Sequence, residues 1–302
     1  MNFFRYRTFK GKVLLLLLCI MGISTFWVVS ETSFKYNFHS FINTECVSGS
    51  CLVQNQSWFN QRFQNDITPL LTSNYILSEE AFNWWKRMQG ERRNMTFFKK
   101  TTQEIFEMFP AFPPVPKPGV DGCTCAVVGN SINLKGSHYG KLIDFHDFVF
   151  RMNRGKTQGF EEDVGTRTTH RAMYPESAMN IDNSTYLVLF PFKIWDLQWL
   201  VKSVCSFVMV VHPAFMKYVH ESWLEGAGRY PSTGCMVVIL ALHLCDEVSL
   251  FGFGADSDGN WSHYWETLMN KRLHTGPHPG SVEYDMILKL AKHGRVDFYS
   301  GR

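Results

Sequence analysis

The sequence predicts an α/β domain built on a mainly parallel sheet flanked by helices, carried behind an apolar segment near the N-terminus. Short apolar or β-branched runs recur at 125–128, 147–152, 186–190, 207–211, 248–251 and 296–299. Helical stretches intervene, the most apolar at 235–245. Buried strands alternating with helices make a parallel sheet covered on both faces. The third observation is bulk: 302 residues, 45% of them hydrophobic and 15% aromatic, suffice for a large core and exclude a disordered chain.

The N-terminus sets the compartment. Residues 1–12 carry Arg5, Arg7, Lys10 and Lys12 and no acid, and residues 13–29 are uncharged. That run is about 26 Å long as a helix, the low end for crossing a bilayer. A cleaved signal peptide shares the basic start, but its apolar core is shorter and ends in a small-residue site. This run ends in Phe26 and Trp27 without such a site. The expectation is an uncleaved signal anchor at 13–29, a cytoplasmic tail at 1–12 and a lumenal remainder. Residues 30–57 are polar and irregular, a stem, which leaves 58–302 as the lumenal domain.

Two counts agree with a lumenal chain. Glycosylation sequons start at Asn55, Asn94, Asn183 and Asn260. Eight cysteines are present, with Cys19 inside the apolar run. The seven that follow it are an odd number, so at least one lacks an intrachain partner; disulfides are the expectation for the others. Zinc is a poor reading of Cys123-Thr-Cys125, because one intervening residue is too few and no second close pair exists. The net charge of +3, from 30 basic and 27 acidic residues, argues against nucleic acid as a partner.

Along the lumenal part, 77–90 and 101–109 have helical spacing, with Trp84, Trp85 and Met88 on one side as core. Residues 110–122 hold five prolines and two glycines, a stiff connector between this helical subregion and the strands.

In parallel sheets ligands bind beyond the carboxyl ends of strands. The loops at 129–140, 153–165, 174–177 and 252–260 are therefore the places to look. AVVGNSINLKG puts Gly129 where a backbone approaches a phosphate or ribose, with Asn130 and Asn133 as amide donors and acceptors. It is not G-x-G-x-x-G, so no dinucleotide fingerprint is present. RYPSTG, 229–234, leads into a helix that Ser232 or Thr233 can cap, and helix starts attract anions. Asp256-Ser-Asp258 imitates the metal clamp of diphosphate-sugar transferases but reads equally as a turn. Finally, His263, Glu266, His274, His278 and Glu283 crowd one stretch, and imidazole titrates near neutral pH. The chain lacks H-E-x-x-H and G-x-S-x-G, which counts against a metalloprotease and an α/β-hydrolase.

Together and in this order, these segments resemble the animal sialyltransferases, glycosyltransferase family 29. Residues 125–170, from CAVVGNS to GTRTTH, resemble that family's long motif, and RYPSTGCMVVILALHLCDEVSLFGFGAD, 229–256, its short motif. His263-Tyr-Trp-Glu266 is similar to the third motif and His278-x4-Glu283 to the very short one. MYPES, GRYPSTG and GFGADSDGNW are similar to the beta-galactoside alpha-2,3-sialyltransferases that act on Gal-beta-1,3-GalNAc. The resemblance implies a single Rossmann-like sheet of the GT-A-like variant type in a single-pass type II Golgi membrane enzyme. It also implies sialic acid transfer from CMP-sialic acid to galactose-terminated glycoprotein or glycolipid glycans, with inversion and with neither metal nor cofactor. By it His278 is the base, Glu283 its supporting neighbour, and His263 the donor to the departing phosphate. Asn130, Asn133, Asn153, Tyr174, Ser177, Ser232, Thr233, Gly234, Gly252 and Gly254 match positions that hold CMP, and Tyr230 and Trp261 match acceptor positions. Cys125 and Cys245 match a disulfide joining the long and short motifs, and Cys46 and Cys51 match stem disulfide cysteines.

The chain departs from that pattern in three places. Only twelve residues separate Trp199 from His212, where the relatives have about thirty. Ser48 replaces a cysteine that would partner Cys123, and Thr68 stands where the resemblance puts an acceptor-binding glutamine. These departures keep a catalytically impaired CMP-binding relative as one alternative. A metal-dependent diphosphate-sugar transferase using Asp256 and Asp258 is another.

Overall fold

The computed structural model describes residues 57–109, 122–203, 207–266 and 276–302. The expected anchor, the stem up to residue 56 with Cys46 and Cys51, and Cys205 lie outside the described residues. So does the connector at 110–121. Among the described residues no helix is long and apolar enough to cross a membrane.

Seven strands form one sheet: β1 (Thr124–Val128), β2 (Phe148–Met152), β3 (His170–Met173), β4 (Tyr186–Leu189), β5 (Val208–Val210), β6 (Glu247–Phe251) and β7 (Asp297–Tyr299). Their order is β5-β4-β3-β2-β1-β6-β7, and every neighbouring pair is parallel. The chain steps outward from β1 to β5, then returns to the other side of β1. That reversal is a topological switch point, where a crevice opens at the strand carboxyl ends.

Six of the strands coincide with the apolar runs to within a residue or two; β3 does not. Its sequence, His-Arg-Ala-Met, hides a strand that is buried at all four positions. The His170 ring stacks on Phe150 at 4.4 Å and on Tyr186 at 5.0 Å. Burial pushes its pKa down to about 4, so it packs as a neutral aromatic.

Among the described residues from 79 on, helices connect and cover the strands: α1 (Glu79–Gln89), α2 (Met95–Met108), α3 (Gly140–Asp144), α4 (Glu161–Val164), α5 (Ile194–Lys202), α6 (Pro213–Tyr218), α7 (Thr233–Leu244) and α8 (Gly280–Lys292). α1 starts where Ser78 accepts from the Ala81 N–H and stops at Gly90, which takes the left-handed conformation (φ 71°). α2 starts at Met95, not near 101 as expected, because the Asn94 side chain caps it by accepting from the Phe97 N–H at 3.0 Å.

α7 is the central helix. Its apolar side chains are buried nearly all round, and it lies against β1, β2, β3 and β6. A disulfide joins Cys125 of β1 to Cys245 at the end of α7. The odd cysteine count required at least one unpaired thiol, and two are present among the described residues. Cys235 faces the apolar interior of α7's packing, and Cys123 is buried beside the disulfide; both are free thiols. Burial pushes the Cys123 thiol up to about 11.

The helical subregion before the connector is part of the same core. Phe82, Trp85, Phe98 and Ile105 belong to one buried cluster with residues of β4, β5 and α7. The Trp85 and Phe98 rings meet edge to face at 5.3 Å. Phe98→Ala is expected to cost about 3–5 kcal/mol of unfolding free energy, since it empties a fully buried ring site. Denaturant titration measures this; a loss under about 1 kcal/mol would show that α1 and α2 do not share the core.

Candidate active site

The carboxyl ends of β1 and β6 meet at two glycines. A Cβ on Gly129 would lie 2.1 Å from the Gly252 carbonyl oxygen, a contact no side chain tolerates. Gly252 itself has φ +71° and leaves room for Leu134, whose Cδ1 would be 2.4 Å from a Cβ there. The approach is sealed by Gly129 N–H to Phe251 O at 2.7 Å and Ser131 N–H to Gly252 O at 3.0 Å. The Ser131 hydroxyl reaches Gly254 O at 2.8 Å.

Above this junction lies a cavity of about 520 Å³. It collects most of the residues singled out in the sequence. Asn130, Asn153, Tyr174, Gly252 and Gly254 come from the ends of β1, β2, β3 and β6. Ser232, Thr233 and Gly234 bring the N-terminus of α7, and Tyr230, Trp261, His263, His278 and Glu283 complete the wall. Asn133 and Ser177 stand behind it. The Asn133 amide donates to Ala255 O at 2.9 Å, which braces the 252–260 loop, and the Ser177 hydroxyl donates to Asn153 Oδ1 at 2.8 Å.

The helix start is built as a cap. Ser232 Oγ accepts from the Cys235 N–H at 3.1 Å. The same hydroxyl donates to Glu283 Oε2 at 2.6 Å, and the Ser232 N–H donates to Glu283 Oε1 at 2.7 Å. Glu283 thus ties α8 to the mouth of α7. Its burial raises its pKa against the lowering effects of the two Ser232 bonds and of His278.

The two histidines differ in what orients them. His278 Nδ1 faces the Tyr230 carbonyl at 3.1 Å, and its ring sits 5.0 Å from the Tyr230 ring. A carbonyl only accepts, so Nδ1 carries a hydrogen, and in the neutral ring Nε2 is the acceptor. His263 Nδ1 instead bonds the Glu266 carboxylate, and its ring stacks on Trp265 at 4.5 Å. A carboxylate only accepts, so Nδ1 carries the hydrogen here as well.

Asp256 is taken up by its own turn. Its Oδ1 accepts from the Asp258 and Asn260 N–H groups at 3.0 and 2.7 Å, and its Oδ2 from the Asn260 amide at 3.1 Å.

Two wall residues escaped the sequence reading. Phe192 stands between Tyr174 at 5.5 Å and Tyr230 at 5.4 Å, which makes an aromatic face with His278. Gln89, the last residue of α1, reaches the Tyr230 hydroxyl at 3.4 Å. Thr68 is exposed and off the cavity wall, whereas Gln89 lines it. The shared core brings the end of α1 to the cavity. Helical spacing marked Trp85 as core, and Gln89 lies one turn on, but nothing local aims it at the strand ends.

The loop carrying Phe192 is held from below. Trp85 Nε1 donates to Pro191 O at 2.6 Å, and Asp196 Oδ2 accepts from the Phe192 and Lys193 N–H groups at 2.7 and 3.2 Å. Burial pushes the Asp196 carboxyl up to about 6.

Comparison with known proteins places this geometry. The family model described as Glycosyltransferase family 29 (sialyltransferase) matches residues 70–207 and 204–295. The chain is 41% identical to the mouse CMP-N-acetylneuraminate-beta-galactosamide-alpha-2,3-sialyltransferase 1, over 93% of this chain and 92% of the mouse protein. It is 40% identical to the rat CMP-N-acetylneuraminate-beta-galactosamide-alpha-2,3-sialyltransferase 2, over 85% and 80%. A crystal structure of a mammalian sialyltransferase in complex with Gal-beta-1-3GalNAc-ortho-nitrophenol superposes with a TM-score of 0.75 at 41% identity, covering 86% of this chain and 97% of that one.

The Asp196 site carries a pH signature. Its folded pKa of about 6 lies above the ordinary 3.8, so its stabilising contribution is full below pH 3.8 and is lost as pH rises through 6. Asp196→Asn keeps an acceptor without the charge. Relative to the parent, the variant is expected to gain up to about 3 kcal/mol between pH 4 and 7. Urea unfolding at both pH values tests this, and a difference independent of pH would contradict it.

Proposed function

The chain belongs to glycosyltransferase family 29, the sialyltransferases, and from that premise we propose that it transfers sialic acid from CMP-sialic acid to the 3-hydroxyl of terminal galactose in Gal-beta-1,3-GalNAc, on O-glycans or glycolipids. The observation that carries the reading is the contrast between the two histidines, one oriented by a carbonyl and the other by a carboxylate.

CMP lies along the strand ends, held by Asn130, Asn153, Ser232, Thr233 and Gly234 and by the backbone at Gly252 and Gly254; Asn133 and Ser177 brace it from behind. The first N–H groups of α7 face its phosphate. The acceptor galactose rests against Tyr230 and Trp261, with Gln89 and Phe192 beside it. His278 Nε2 takes the proton from the galactose 3-hydroxyl as that oxygen attacks the anomeric carbon of sialic acid. The bond to the phosphate oxygen breaks on the opposite face, which inverts the centre, and His263 donates to the leaving CMP. Glu283 acts on both sides, through Ser232 at the helix start and through its charge on His278. A monophosphate leaving group needs no metal clamp, and the Asp256 turn supports that reading. The protein is a single-pass type II enzyme of the Golgi membrane with its catalytic domain in the lumen.

A catalytically impaired CMP-binding relative is the second reading, favoured by the short passage from Lys202, the end of α5, to Val208, the start of β5. Detergent-solubilised full chain with CMP-sialic acid and Gal-beta-1,3-GalNAc, with and without EDTA, separates these readings. Transfer unaffected by EDTA supports the proposal, and CMP binding without transfer supports the impaired relative. Transfer abolished by EDTA would point to a metal-dependent mechanism.

His278→Ala is expected to lower transfer by about 10² to 10⁴ and to leave CMP affinity within about twofold. Transfer within tenfold of the parent would take His278 out of the base role. The short passage after α5 leaves fewer groups for the sugar beyond galactose, at about 0.5–1.5 kcal/mol per lost hydrogen bond. The ratio of kcat/KM for Gal-beta-1,3-GalNAc over Gal-beta-1,4-GlcNAc is therefore expected below about a hundredfold. A larger ratio would show that acceptor specificity does not need the longer passage.

A further inference from the structure

Arg171 is a guanidinium in the middle of the sheet, on β3 and only 6% exposed. Burying a cation is costly, and an apolar side chain would fill the strand at less cost. Its partners are backbone carbonyls: Nη1 donates to Gly155 O at 2.9 Å and to Asn153 O at 3.3 Å, while Nε is buried without a hydrogen-bond partner.

Those carbonyls belong to the turn after β2. Asn153 has φ +49°, a left-handed conformation that a non-glycine residue keeps only when its surroundings impose it. The turn is fastened at several further points. The Asn153 N–H donates to Ala172 O at 2.7 Å, and the Gly155 N–H donates to Met152 O at 3.0 Å. Ser177 holds Asn153 Oδ1, and the Tyr264 hydroxyl donates to Lys156 O. Across from it, Asn130 Oδ1 is buried without a partner, 2.8 Å from where a Cβ on Gly155 would be. A cavity wall with one strained asparagine and one unsatisfied amide oxygen is prepared for a polar ligand.

We propose that Arg171 is a positioning residue of the donor site: from β3 it fixes the left-handed turn at Asn153 and Gly155, and its buried charge favours the phosphate of the donor. This rests on the reading of the cavity as the CMP site. Arg171 acts through Asn153 and not by contact, so its loss falls on donor binding and spares the acceptor.

Calorimetric titration of the full chain with CMP, and with cytidine as the uncharged probe, tests this in Arg171→Gln and Arg171→Lys. R171Q keeps one N–H for a carbonyl without the charge and is expected to weaken CMP at least tenfold and cytidine less. R171K keeps the charge but not the forked donor and is expected to weaken CMP about three- to fivefold, less than R171Q does. In transfer assays the donor KM is expected to rise at least tenfold in R171Q with the acceptor KM within twofold. CMP affinity within twofold of the parent in R171Q, or an equal rise in both KM values, overturns the proposal. If R171Q does not fold, R171K carries the test: donor and acceptor KM values changed equally overturn it, and a change confined to the donor supports it. A parent chain that fails to bind CMP overturns the donor-site reading itself, and this proposal with it.

Discussion

The contact of Gly129 with Gly252 organises this molecule. Strands β1 and β6 run side by side and must part at their carboxyl ends, because the chain turns one way after β1 and the other after β6. Two backbones without side chains remain in contact where they part, and a methyl group on Gly129 would collide with the opposite carbonyl. Everything in the cavity is referenced to that junction. Asn130 and Ser131 follow one glycine, and Phe253 and Gly254 follow the other. Residues 261–263 return to it through Ile132 N–H to Ser262 O at 2.9 Å.

The second organising element is α7, which is too apolar to be anything but central. The sheet covers it and the disulfide Cys125–Cys245 tethers its far end, so its near end, at Ser232, is fixed relative to β1. A helix start held this firmly presents its N–H groups in one direction, which is what an anion site requires. Glu283 locks the same point from α8 and brings His278 along, since the histidine lies five residues before it. Capping, anion binding and placement of one imidazole are thus a single arrangement.

The aromatic side of the cavity has a different origin. Phe192 and Gln89 are supplied by the α1–α2 subregion and the loop it grips, through Trp85 on Pro191 and the Asp196 carboxylate. The side that holds Asn130 and Asn153 belongs to the sheet itself, while the aromatic side depends on helices packed against it.

The sequence by itself determined the α/β class, six of the seven strands, the apolar helix at 235–245 and the loops that form the site. These are legible because they are local: alternation of apolar runs, glycine after a strand, serine before a helix. Tertiary structure decided the rest. β3 was hidden because a strand buried on both faces still carries His170 and Arg171, one used as a neutral aromatic and the other spent on carbonyls. Gln89 went unread because the side chain that reaches a cavity is chosen by how helices pack and not by its place in a motif. Cys123 and Cys235 remained thiols because pairing depends on where a sulfur ends up in space, a quantity that residue counts do not contain. The orientations of His263 and His278 were fixed by Glu266 and by the Tyr230 carbonyl, the second of these 48 residues away in the chain. Spacing placed both imidazoles near the site, but a tautomer is set by its hydrogen-bond partner, and the Tyr230 partner exists only once the chain has folded.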